Sequence, residues 1–223
     1  MNFEWRWDFT WQILPRLLEA TLATMAAAAI GYSVALLGGL IFALGQRTPS
    51  RVITFVVREI VEFIRSTPLV LQIFFIYFVG PQFGIRMSPW HAGMLALGVH
   101  YSAYLSEVYR GGLDAVPKGQ WEAALALNLS TTSTYTRIIL PQALPPALAG
   151  MGNYLVGILK DTPLLSVIGV AELMHTANSI GAANYRFLEP YTIVGLIFLL
   201  ISLPLSGLTR LFEMWVRRKL GMK

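Results

Sequence analysis

The sequence contains no cysteine, only three histidines, and only 13% charged residues. Without thiols there is no disulfide framework, no thiolate nucleophile and no Cys-based zinc site. His91 and His100 lack ligand partners at helical spacing, so no metal site is expected. Phosphate-binding and hydrolytic motifs are missing as well. Gly111-Gly112 is not followed by the Gly-Lys-Ser/Thr of a nucleotide loop, and neither Gly-x-Ser-x-Gly nor His-Glu-x-x-His occurs. No internal repeat is visible, and the only low-complexity stretch is Ala26 to Ala29. An active site of the chain's own is therefore not expected. The shortage of charge is the most restrictive absence, because an average soluble domain carries about 25% charged residues.

Apolar residues are abundant instead: 55% of the 223 residues are hydrophobic, and the mean hydropathy is +0.58. These values describe an integral membrane protein. Uncharged runs extend over Ala20–Gln46, Ser66–Ile85, Met87–Ser106, Ile138–Leu159 and Pro190–Thr209. About 20 apolar residues in a helix cross a ~30 Å hydrocarbon core, so five spans are expected. A sixth apolar stretch, Pro163 to Ala171, is too short to cross and reads as a half-helix packed on the bundle. The fold expected is an all-α membrane bundle forming one domain over residues 1–223, with a polar loop at about 111–137. The start of the chain has no basic segment and does not read as a cleaved signal peptide. Its aromatics, Phe3, Trp5, Trp7, Phe9 and Trp11, suit the membrane interface.

Five spans put the termini on opposite sides, and basic residues choose the orientation. With the C-terminus cytoplasmic, the inner side holds Arg47, Arg51, Arg58, Arg110, Lys118, Arg137, Arg217, Arg218, Lys219 and Lys223. The outer side holds Arg6, Arg16, Arg86 and Arg186. The net charge of +5 thus follows membrane topology and implies no nucleic-acid partner.

Along the chain, the first span runs from about Leu17 to Leu44 with small residues for close packing, and Thr48-Pro49-Ser50 forms an inner turn. A long helix then begins at the cytoplasmic surface, where Arg58 with Glu62 and Glu62 with Arg65 are spaced to pair. Pro68 kinks or restarts it. Gly111-Gly112 is expected to stop the third span. The polar loop reads as a helix over Lys118 to Leu127, a left-handed stop at Asn128, and a second helix capped by Ser130 or Thr131. Pro141, Pro145 and Pro146 are expected to break the start of the fourth span. That span ends in Lys160-Asp161-Thr162-Pro163, at membrane depth. Thr162 before Pro163 reads as a helix cap, and Asp161 reads either as a cap or as part of a polar pathway.

The cytoplasmic loop resembles that of ABC-type importer permease subunits of the bacterial inner membrane. Glu122-Ala123-Ala124 is followed by Asn128 in place of that family's Gly, then by nine residues and Ile138-Ile139-Leu140-Pro141. Further stretches resemble the polar amino-acid branch: Arg65-Ser66-Thr67-Pro68-Leu69-Val70-Leu71-Gln72, Ala103-Tyr104-Leu105-Ser106-Glu107, Arg110-Gly111-Gly112 and Lys160-Asp161-Thr162-Pro163-Leu164.

The resemblance implies a partner set: a second permease, identical or homologous, two cytoplasmic ATP-binding subunits, an external solute-binding protein and membrane lipid. ATP and magnesium would bind the ATPase, and this chain would hold no cofactor. The short cytoplasmic helix would be the coupling helix, with Trp121 and Leu125 as apolar anchors and Glu122 as a charged contact beside Ala123, Ala124, Asn128 and Pro141. By matched position, Gln72, His100, Tyr101, Tyr104, Asn153, Asp161 and Thr162 would line the substrate path. The branch often has Asn-Ser-Gly-Ala-Tyr where this chain has His100-Tyr101-Ser102-Ala103-Tyr104. The added aromatic faces favour a zwitterion with a delocalised or bulky cationic end, such as ectoine or hydroxyectoine. The competing reading is an ion-coupled secondary transporter or channel using Lys160, Asp161 and Glu107. Five spans without an inverted repeat speak against it.

Overall fold

A computed structural model describes residues 4–220, and every regular element among them is helical. Phe3 and Lys223, which the sequence reading placed at the outer interface and the inner side, lie outside the described residues. Helix α1 (Trp7–Gly45) is 39 residues long and extends the first expected span outward by ten residues. Its inner turn leads to α2 (Arg51–Ser66), whose cap is Ser50. α2 is amphipathic and buries only Val61 and Ile64, which pack on Ala103. Of the two ion pairs expected there, Arg65 and Glu62 meet at 3.8 Å, while Arg58 forms none with Glu62 among the described residues.

Thr67 and Pro68 break the path. The helix from Leu69 to Phe83 leaves α2 at 106° and changes winding as it goes: α3 (Leu69–Phe74), a π segment (Phe75–Val79) and a 3-10 turn (Gly80–Phe83). The second expected span is thus a bent pair, because Pro68 cannot donate to the preceding turn and disfavours helix at Thr67.

α4 (Pro89–Asp114) is the central helix, with 13 of its 26 residues buried. It is capped by Ser88 and does not stop at Gly111-Gly112 as expected. It runs on to Asp114, and Gly112 serves close packing: a Cβ there would sit 2.7 Å from the carbonyl of Ala143. The α1–α4 seam is equally tight, since a Cβ on Gly98 would meet Val34 at 2.4 Å and one on Gly39 would meet Leu105 at 2.8 Å. Small residues let backbones approach where lipid offers no hydrophobic drive between helices.

Helix α5 (Lys118–Ala126) is followed by a stop at Asn128, which is left-handed at φ 53°. A short turn, α6 (Thr131–Ser133), capped by Ser130, passes into a π segment (Thr134–Ile139) and then α7 (Leu140–Asp161). Contrary to expectation, the prolines do not break α7. Pro141 sits in its first turn, where a missing donor is tolerated, and Pro145 and Pro146 lie inside an unbroken helix. The half-helix is a 3-10 turn (Thr162–Ile168) ending at left-handed Gly169.

Helix α8 (Leu173–Asn184) has no counterpart in the sequence reading. Its cap is the buried Glu172, which accepts from the amides of Met174 and His175 at 2.9 and 2.7 Å. It packs with α9 (Leu188–Lys219) against the outer part of α1 through Leu17, Leu173, Ala177 and Ile193. Among the described residues, α1 and α9 are the two single helices long and apolar enough to cross a membrane, and two bent pairs pass together. α4 is long enough but less apolar, because it faces protein on most sides.

Candidate functional site

A recess of roughly 580 Å³ opens between the middle of α4 and the outer half of α7. α4 contributes His100, Tyr101, Tyr104 and Val108, spaced to lie on one face; α7 contributes Gly150, Asn153, Tyr154, Gly157 and Asp161 in the same way. Of the seven residues expected on a substrate path, His100, Tyr101, Tyr104, Asn153 and Asp161 line it.

The other two are placed differently. Thr162 is fully buried and its hydroxyl donates back to the Leu159 carbonyl at 2.8 Å, so it neither caps the following turn nor reaches the recess. Gln72 stands behind His100. Its amide nitrogen donates to the carbonyls of Ile64 (2.8 Å) and Thr67 (3.2 Å) and to the Thr67 hydroxyl (2.7 Å). Its carbonyl oxygen is thereby left 3.2 Å from Nδ1 of His100. An acceptor there calls for a proton on Nδ1.

Asp161 does not cap the 3-10 turn, which has no side-chain cap bond. Its Oδ2 instead accepts from the Tyr101 hydroxyl at 2.7 Å. Gly157 makes room for this contact, since a Cβ there would lie 3.2 Å from that hydroxyl. Lys160, the neighbour in sequence, is exposed.

The rings form a partial box. Tyr101 and Tyr154 are 6.0 Å apart, Tyr104 and Tyr154 5.5 Å, and His100 and Tyr104 5.1 Å. Tyr154 was missed by sequence reading, although its spacing from Gly157 and Asp161 puts it on their face. Arg65 was missed too. Its guanidinium lies 5.6 Å from the centre of the Tyr104 ring, and the Tyr104 hydroxyl donates to the Arg65 carbonyl at 3.3 Å. The recess therefore holds a carboxylate and several π faces, and the Arg65 guanidinium lies over the ring of one wall residue, Tyr104. Chemically, ring faces can hold a cation and a carboxylate can align it.

In α5, Trp121 turns towards its own chain. It packs with Val116, Ile139 and Ala143 and meets Tyr135 edge-on at 5.4 Å. Ala124 is buried, Glu122 and Ala123 are exposed, and Leu125 projects outward at 82% exposure. Pro141 sits in the first turn of α7. At the inner end of α4, Glu107 is paired with Arg110 at 2.8 Å, and Arg110 also donates to Gln46.

Comparison with known proteins matches residues 35–218 to the family described as binding-protein-dependent transport system inner membrane component. The chain is 42% identical to a probable amino-acid ABC transporter permease, y4tG, of Sinorhizobium fredii over 96% of this chain and 95% of that one. It is 35% identical to the glutamine transport system permease protein GlnP of Escherichia coli, over 96% and 97%. A crystal structure of an amino acid ABC transporter with histidines superposes with a TM-score of 0.89 at 32% identity, over 95% of this chain and 99% of that one.

Proposed function

The chain belongs to the binding-protein-dependent transport system inner membrane component family, and from that premise we propose that it carries a small amino-acid-like zwitterion through the recess between α4 and α7. It is a permease subunit of the inner membrane, and ATP hydrolysis belongs to a separate subunit. The observation that carries the cargo reading is a carboxylate, Asp161, held by Tyr101 in a recess walled by Tyr101, Tyr104 and Tyr154, with the Arg65 guanidinium over the Tyr104 ring. A cationic end would contact the free Oδ1 of Asp161, and a carboxylate would approach Arg65. The rings suit a delocalised cation better than a bare ammonium, which favours a cyclic amidinium acid such as ectoine or hydroxyectoine over glutamine.

In the working complex we place two such permeases, identical or homologous, with two ATP-binding subunits and an external solute-binding protein. Coupling would run through α5: Leu125 enters the ATPase groove, Glu122 makes a charged contact, and Trp121 fixes the helix to its own bundle. The ion-relay reading is disfavoured because Glu107 is already paired with Arg110 and the chain matches a binding-protein-dependent transport family.

The test is uptake into proteoliposomes holding the whole complex, with ATP inside and ion gradients collapsed. Ectoine, hydroxyectoine, glutamine, arginine and histidine are compared as cargo. Saturable, ATP-dependent uptake led by the amidinium zwitterions is expected. Uptake led by glutamine would overturn the cargo reading, and uptake driven by an ion gradient without ATP would overturn the importer reading. Glu122→Lys should leave insertion intact while separating ATP hydrolysis from uptake or releasing the ATPase.

A further inference from the structure

Two recesses meet at one side chain near the inner end of α1. One is an apolar cleft of roughly 530 Å³ between the ends of α1 and α4 and the start of α7, walled in part by Leu40, Leu44, Leu140 and Leu144. The other is a basic recess of roughly 450 Å³ at the turn between α1 and α2, bordered by Arg47, Arg51 and Arg58. Arg47 lines both. We propose that together they form a binding site for an anionic phospholipid of the cytoplasmic leaflet, with an acyl chain in the cleft and the phosphate among the arginines.

Depth, wall chemistry and charge support this occupant independently. Leu40 and Leu44 lie in the last two turns of α1, Arg47 lies two residues beyond its end, and Leu140 is the first residue of α7, so the cleft lies where inner-leaflet acyl chains end and headgroups begin. Its four leucines are each 43–63% exposed, a wall suited to hydrocarbon and unsuited to water. In the basic recess only Arg47 has an ion-pair partner among the described residues, Asp114 at 2.9 Å. The other carboxylates nearby are on α2 itself: Glu59 adjoins Arg58 in sequence, and Glu62 pairs with Arg65. Two arginines are left over for a phosphate. Basic residues near an anionic leaflet each contribute roughly 1 kcal/mol, or about fivefold in affinity.

The site also has a route to function. Its α7 wall starts at the segment that holds the coupling helix: Gln142 donates to Gln120 of α5 at 3.2 Å, and Ile139 and Ala143 pack with Trp121. An acyl chain in the cleft would hold the base of α7 apart from α1 and support α5 from behind. This consequence rests on the importer reading above; lipid binding itself does not.

The experiment therefore measures binding separately from transport. Native mass spectrometry of the detergent-solubilised permease–ATPase complex, titrated with phosphatidylglycerol or phosphatidylcholine, is compared for wild type, Arg51→Gln/Arg58→Gln and Leu144→Trp. Saturable retention of phosphatidylglycerol over phosphatidylcholine is expected, reduced about tenfold or more by the arginine pair and clearly lowered by the cleft-filling tryptophan. Arg58→Gln alone, on an exposed helix face, serves if the double variant does not assemble. In proteoliposomes, phosphatidylglycerol should raise ATP-driven uptake several-fold in wild type and less in both variants. Equal retention by all proteins would overturn the proposal. So would release of the lipid by millimolar inorganic phosphate, which marks a free-anion site. Loss of the ATPase from the arginine variant with unchanged lipid retention would do the same, assigning the patch to a protein partner.

Discussion

The Tyr101 hydroxyl on α4 donates to Oδ2 of Asp161 on α7 at 2.7 Å, and this bond joins the two walls of the recess. It leaves Oδ1 of the carboxylate for a ligand. Asp161→Asn keeps size and shape while removing charge. The variant is expected to assemble, to keep ATPase stimulation by the external binding protein, and to raise half-saturation for a cationic solute by tenfold or more. That follows because hydrogen bonds to charged groups contribute about 1.5–3 kcal/mol. Tyr101→Phe should give a smaller rise, since water can replace the phenol. Uptake kinetics of both variants decide, and unchanged half-saturation in Asp161→Asn would remove the carboxylate from the path.

Asn128 holds φ at 53° and ends α5, with its amide on the Leu125 carbonyl at 2.9 Å and the Leu129 amide on Ala124 at 3.1 Å. Glycine adopts this conformation freely and a β-branched residue does not. Asn128→Gly should retain ATPase binding and uptake. Asn128→Val should cost on the order of 1–2 kcal/mol and weaken co-purification of the ATPase. Equal behaviour of the two would show that the turn does not depend on this conformation.

Gly111 and Gly112 are neighbours with opposite surroundings. Nothing lies within 4 Å of a Cβ on Gly111, whereas one on Gly112 would meet the Ala143 carbonyl at 2.7 Å and the Ala147 Cβ at 3.0 Å. Gly111→Ala should be neutral or stabilise by up to about 1 kcal/mol, since alanine favours helix. Gly112→Ala should destabilise by about 1–3 kcal/mol, because two backbones must move apart. Thermal unfolding in detergent measures both, and a lower melting temperature in Gly111→Ala than in Gly112→Ala would contradict the packing.

At the outer end, Glu189 is fully buried beside Arg186, whose Nε donates to it at 2.9 Å, and the Arg6 amide approaches at 3.4 Å. Burial alone would raise its pKa, but the Arg186 and Arg6 contacts outweigh burial and hold the carboxyl below the usual glutamate value. A depressed pKa means that this contribution to stability is complete above the unfolded value, about 4.3. It is then lost as pH falls through the lower folded value. Melting temperature should accordingly fall more steeply below about pH 4 in wild type than in Glu189→Gln. Parallel profiles would show that the pair contributes nothing there.

Much of the architecture could be read from charge spacing, because an uncharged run of sufficient length has few alternatives in lipid. Asn128, Ser130 and α5 were legible for the same local reason: each depends on residues within one turn. What failed depended on distant neighbours. Gly112 looks like a helix stop until α7 lies against it, and Asp161 looks like a cap until Tyr101 arrives from another helix. Helix α8 was missed because its cap, Glu172, is a buried carboxylate, and nothing local announces that Thr24 on α1 will meet it at 3.5 Å. Five of the seven residues expected from the resembling family line the recess, while Tyr154 in its wall and Arg65 beside Tyr104 needed the helices to be placed in space.

The sharp bend at Thr67-Pro68 has a mechanical consequence. Gln72 fastens both arms of the bend, and the same amide abuts His100, so α2, α3 and the middle of α4 form one stiff bracket. Proline marks the corner, yet the corner is braced and has little compliance. Softer joints occur where the winding loosens, at Phe75–Val79 and Thr134–Ile139, whose π turns border the outer loop and the coupling segment. Force applied to α5 from the cytoplasm would therefore be absorbed first at Thr134–Ile139. The bracket would turn as a single lever, carrying His100, Tyr101 and Tyr104 with it and shifting them against Tyr154 and Asp161 of α7.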